Sequence, residues 1–125
     1  MQKEPFSIKK RLASFRYAFN GISLLIRNEH NAWIHCAIAA GVLLAGVWLE
    51  ISVVEWIIVV ILIGAVLAAE AINTAIEALA DKISPGEDPL IKKAKDLAAA
   101  AVLLMAIASV VIGLIIFIPK IIALL

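Results

Sequence analysis

Residues 53–81 read VVEWIIVVILIGAVLAAEAINTAIEALAD. The first part opens at Val53 or Trp56 and runs through Ala69 as an apolar stretch of membrane-spanning character. The second part keeps the helical pattern to about Ala80 but adds Glu70, Asn73, Thr74, Glu77 and Asp81. Their offsets from Glu70 are 3, 4, 7 and 11. At about 100° per residue, the five polar groups fall within roughly a third of the helix circumference. The remaining faces are Ala, Ile and Leu. The stretch therefore predicts a spanning helix with one acidic, hydrogen-bonding stripe in apolar surroundings.

Before it, Ala32 to Leu49 is an uncharged apolar run of about 18 residues, near the minimum for a span. Its only titratable group apart from Cys36 is His35, near its start. A polar break, Glu50 to Glu55, carries no Lys or Arg, and Trp48 and Trp56 flank it as an interfacial belt. After it, residues 82 to 96 hold Pro85, Gly86 and Pro89, which mark a turn, together with Lys82, Lys92, Lys93 and Lys95. A third span covers residues 96–118, its uncharged core running from Leu97 to Ile118, with Pro119 and Lys120 expected to end it. Upstream, residues 6–28 carry an apolar stripe of Ile8, Leu12, Phe15, Phe19, Ile22 and Ile26, with Lys9, Lys10, Arg16 and Asn20 largely off it. A basic amphipathic helix of this kind is expected to lie at the headgroup level.

Composition agrees. The 125 residues suffice for one domain, and 64% of them are apolar, against about 45–50% in soluble proteins. A small soluble domain cannot hide that much apolar surface. A net charge of +1 gives no general attraction to nucleic acid. The single cysteine, Cys36, excludes an intrachain disulfide and any multi-cysteine metal site. The N-terminal region has no continuous apolar core, so it is not read as a cleavable signal. Six Lys or Arg precede the first span, four lie between the second and third, and none lies in the 50–55 turn. The positive-inside rule then predicts a cytoplasmic N-terminus, a cytoplasmic 82–96 loop and an external C-terminus.

The stripe is costly. An acid at mid-bilayer opposes insertion by about 2.5–3.5 kcal/mol. Polar side chains in membranes often do no more than bond neighbouring helices, and Asn73 and Thr74 alone would mean only that. Two glutamates on the same face point to function. Glu70 lies two helical turns, about 10 Å, deeper than Glu77. Glu29, at the end of the amphipathic helix, shares the level of Glu77. Spacing alone makes Glu29 a solvated helix-end charge, yet carboxylates from two helices suit a hard cation such as Mg²⁺. Lys95 and Asp96 open the third span from the same side, where a lysine either meets phosphate or snorkels. No P-loop, glycine-rich kinase loop or His-Arg-Asp motif occurs. His30 and His35 are too few for a histidine metal site and read as interfacial or packing residues.

The run Glu70-Ala-Ile-Asn73-Thr74-Ala-Ile-Glu77, then Asp81, then Lys95-Asp96-Leu-Ala-Ala-Ala-Ala-Val, resembles the prokaryotic diacylglycerol kinase family, which includes the undecaprenol kinases. The likeness extends from the basic helix with Tyr17 and Gly21, through Asn28-Glu29, to the third span. It implies a homotrimeric, Mg²⁺-dependent lipid kinase using ATP, with active sites shared between subunits. By position, Glu70 matches the catalytic base, and Glu29 and Glu77 match the metal ligands. Lys10, Tyr17, Glu29, Asn73, Glu77, Lys95 and Asp96 match nucleotide-contacting positions, as do Gly86, Glu87 and Asp88 in the loop. Relatives often carry an acid-Tyr-His run where this chain has Gly86-Glu87-Asp88. Lys10, Glu70 and Ala99 match lipid-binding positions, and Arg11 is an alternative to Lys10.

The expectation is thus an all-α integral membrane protein in a bacterial cytoplasmic membrane: an interfacial helix, spans at 32–49, 53–80 and 96–118, and a homotrimeric bundle. Its partners are ATP and a membrane lipid, without nucleic acid. The lipid expected first is diacylglycerol, giving phosphatidic acid, with undecaprenol as the alternative. Both present a primary hydroxyl below a long apolar tail. A small ion- or proton-conducting oligomer is the rival from another class. It needs a polar path across the whole membrane, and the uncharged third span offers none. An assembly protein needs no carboxylate on the stripe.

Overall fold

The computed structural model describes residues 3–125. It holds four helices, α1 (Ile8–Asn28), α2 (His30–Trp48), α3 (Val53–Ile83) and α4 (Pro89–Leu124). The last three are long and apolar enough to cross a membrane. The all-α expectation holds. α3 is the central helix: it packs most extensively on α4, and also on α2 and α1.

The helix ends follow from local chemistry. Ser7 caps α1 by accepting from the Lys10 backbone N–H. A single extended residue, Glu29 (φ −106, ψ 111), breaks α1 from α2. α2 closes with Glu50 in the left-handed region (φ 51). There the Ile51 N–H donates to Gly46 C=O at 3.1 Å and the Glu50 N–H to Val47 C=O at 3.3 Å. These are the two bonds of a Schellman motif. α3 then starts at once on a capping box: Ser52 Oγ accepts from the Glu55 N–H, and the Glu55 carboxylate accepts from the Ser52 N–H. The polar break between the first two spans is therefore a four-residue reversal.

This turn makes the two helices approach closely. A Cβ on Gly46 would fall 2.8 Å from Cη2 of Trp56. Ile51, Val59 and Ile116 form a buried cluster here, covered by Val42, Trp56 and Phe117 among others.

α4 departs from expectation at both ends. It begins at Pro89, because Asp88 Oδ1 accepts from the Leu90 and Ile91 N–H groups and Pro89 takes the first turn, where no N–H is needed. It also runs through Pro119 to Leu124 instead of ending there. Proline removes one helical hydrogen bond, and spanning helices tolerate that loss. Lys120 Nζ meets Glu55 Oε1 at 3.0 Å, tying the continued turn to the start of α3.

Candidate active site

The stripe on α3 splits into a sealed part and an open part. Glu70 is 1% exposed and Asn73 is 7% exposed, the two buried polar residues among those described. Glu77 is half-buried, and Asp81 is exposed. Asn73 Nδ2 donates to Glu77 Oε1 at 3.3 Å, linking the two parts. Glu70 Oε2, Asn73 Oδ1 and Thr74 Oγ1 are buried without a hydrogen-bond partner. Buried polar atoms are nearly always satisfied. Three orphans within five residues of one helix leave hydrogen-bonding capacity that the described residues do not fill.

Glu70 faces α2. His35 Nε2 lies 3.6 Å from Glu70 Oε2, too long for a hydrogen bond but within ion-pair range. The sequence reads His35 as an interfacial or packing residue. The signal was present, since an ionisable group inside a span normally has a partner. What was hidden is which of its neighbours α2 turns toward α3.

Among the other site residues the structure brings Lys95 and Asp81 together across two helices, and the rest make local contacts. Lys95 Nζ donates to Asp81 Oδ1 at 3.0 Å, bridging the last turns of α3 to the second turn of α4. Asp96 pairs with Lys92 one turn earlier. Asp88 is engaged as the cap of α4. Gly86 accepts from Ser84 Oγ through its carbonyl, and Glu87 is exposed beside it. Ala99 is exposed on α4. On α1, Lys10 pairs with Glu4, Arg11 is exposed, and the exposed Tyr17 ring carries the Arg16 guanidinium 5.9 Å from its centroid. Glu29 is half-buried at the corner between α1 and α2.

As donors, Glu29 and Glu77 offer hard carboxylate oxygens, which suit Mg²⁺ better than softer metals. Among the described residues no three His, Cys, Asp or Glu side chains gather into a cage. An all-protein cage is the exception for Mg²⁺, which keeps waters and takes phosphate oxygens. The chemistry of these two donors therefore suits Mg²⁺.

Comparison with known proteins gives a consistent result. The family described as prokaryotic diacylglycerol kinase matches residues 16–117. The undecaprenol kinase of Bacillus subtilis is 46% identical over 107 residues, covering 86% of this chain and 87% of that protein. The diacylglycerol kinase of a Synechocystis species is 34% identical over 114 residues, covering 90% of this chain and 65% of that protein.

Proposed function

Because the chain belongs to the prokaryotic diacylglycerol kinase family and is a lipid kinase, we propose that it transfers the γ-phosphate of ATP to the primary hydroxyl of undecaprenol. The setting proposed is the cytoplasmic face of a bacterial cytoplasmic membrane, with the chain working as a homotrimer. Undecaprenol is placed ahead of diacylglycerol, the lipid expected first from sequence. The reason is the 46% identity to the Bacillus subtilis undecaprenol kinase, against 34% to the Synechocystis diacylglycerol kinase.

The observation that carries the mechanism is Glu70: a buried carboxylate with an unpartnered oxygen. Glu70 takes the proton of the lipid hydroxyl as the oxygen attacks the γ-phosphorus and ADP leaves. Asn73 and Thr74, each with an unpartnered buried oxygen, line the approach to it. Glu29 and Glu77 would hold Mg²⁺, whose chemistry there is to offset charge on the phosphate oxygens. Lys95, now on Asp81, adds a point charge at the same level. The trimer is supported by exposed small residues, Gly64 and Ala68 on α3, where a second helix can approach closely.

The test is turnover of the purified, reconstituted chain with ATP and Mg²⁺, supplied with undecaprenol or with diacylglycerol. Undecaprenol should be the better substrate by kcat/KM. Preference for diacylglycerol would reverse the substrate assignment, and phosphorylation of neither would sink the reading.

A further inference from the structure

A base that removes a proton in every turnover must release it before the next. Glu70 is 1% exposed, so water does not reach its carboxylate directly. The groups that face it are few. From α2 comes His35, with Nε2 at 3.6 Å from Oε2. Cys36 follows it in sequence, and His30 is a turn and a half nearer the start of that helix. On α3, no titratable residue lies between Glu55 and Glu70, and Glu77 is two turns away and bonded to Asn73. α4 has none between Asp96 and Lys120. α1 packs on α2 and α3 and brings Arg27, Arg16 and Tyr17, but among the described residues His35 is the ion-pair partner of Glu70.

His35 stands between that carboxylate and the start of α2. Its side chain is 19% exposed. It lies five residues into α2, about 7 Å along the axis from the helix start. A movement of about half an ångström brings Nε2 into hydrogen-bond range of an oxygen that otherwise has no donor. We infer that His35 is the positioning residue of Glu70, orienting the carboxylate and then taking from it the proton of the lipid hydroxyl. The inference rests on Glu70 being the base. The steps balance. Ionised Glu70 takes the hydroxyl proton as the O–P bond forms and the bond to ADP breaks. The neutral carboxylic acid, turned so that its proton sits on Oε2, gives that proton to the unprotonated Nε2 of a neutral imidazole that carries its hydrogen on Nδ1. The imidazolium loses it to solvent at the membrane surface, which restores both groups. The orphaned Oε2 is the atom that faces Nε2, so it is the oxygen from which the proton leaves.

The test uses the full chain reconstituted in bilayers, with Glu70→Gln and His35→Gln measured beside wild type. Glutamine at 35 keeps a hydrogen-bond donor but cannot take up and release a proton. His35→Gln should bind Mg-ATP within about twofold of wild type and lose about tenfold or more in kcat. The variant removes an ionisable group from the proton path, so the acid limb of the pH–rate profile should move. If His35→Gln does not fold, His35→Leu suits the apolar run and carries the same readings. Wild-type kcat and an unmoved profile overturn the inference and leave Glu70 as base. A lower kcat with an unmoved profile reduces His35 to packing and also overturns it. Wild-type turnover in Glu70→Gln removes the base itself, and the inference falls with it.

Discussion

Glu70 and Glu77 are the same side chain on the same helix face, two turns apart, in different solvents. One is sealed among helices and the other is half-open. They should fail differently. Glu70→Gln keeps size and hydrogen bonding, so folding and Mg-ATP affinity should stay near wild type. Turnover should fall by about 10²–10⁴-fold, the usual share of acid–base catalysis. Glu77→Gln should instead raise the Mg²⁺ requirement and weaken Mg-ATP binding by about 10–100-fold. Turnover and nucleotide affinity measured on both variants decide the matter. A Glu70→Gln defect confined to ATP binding would move Glu70 from base to ligand. The α3 stripe was legible in the sequence because i, i+3, i+4 and i+7 spacing is a property of one helix. The pairing with His35 was not, because it depends on how two helices are rotated against each other.

At the scale of elements, the reversal between α2 and α3 holds the most information per residue. Gly46 is where the chain cannot add an atom without moving an indole. Gly46→Ala should destabilise the chain by about 1–3 kcal/mol through overpacking, despite alanine's better helix propensity. Thermal unfolding in detergent would show this as a lower midpoint, and an unchanged or higher midpoint would mean Trp56 moves freely. Glu50 occupies a left-handed position that a non-glycine residue adopts at a cost of about 1–2 kcal/mol. For that reason the Schellman closure was invisible in sequence, where glycine is the usual sign. The Ser52-x-x-Glu55 box was written plainly in the sequence, but it read only as polarity. Pro119 misled in the other direction. Its rule for soluble helices gave way to an apolar setting and to the Lys120–Glu55 tie.

On the scale of the whole molecule, much of the apolar surface faces outward, including Phe15, Phe19, Trp33, Leu44, Ile61 and Leu104. Lipid and neighbouring copies are the surroundings that would satisfy it. Cysteine labelling at residues 5, 52, 87 and 124 should read in, out, in, out across the membrane, and labelling of 52 and 87 from one side would exclude three spans. The three helices are not matched in length. α2 has 19 residues, α3 has 31 and α4 has 36, or about 28, 46 and 54 Å. The hydrocarbon core is about 30 Å thick, so α3 and α4 must rise well clear of it on the side where the nucleotide is proposed to arrive.

The tight reversal at residues 49–52 gives these lengths a consequence. In the proposed orientation it fixes where α3 begins at the outer surface, and Glu70 lies 17 residues beyond Val53, or about 25 Å along the helix. On the proposed reading the chain is in effect a ruler whose zero is the outer leaflet, while the hydroxyl to be phosphorylated would be delivered at the inner one. Bilayers assembled from lipids of graded acyl length should therefore give a maximum in turnover at one thickness. On either side of it the mark and the hydroxyl slide out of register.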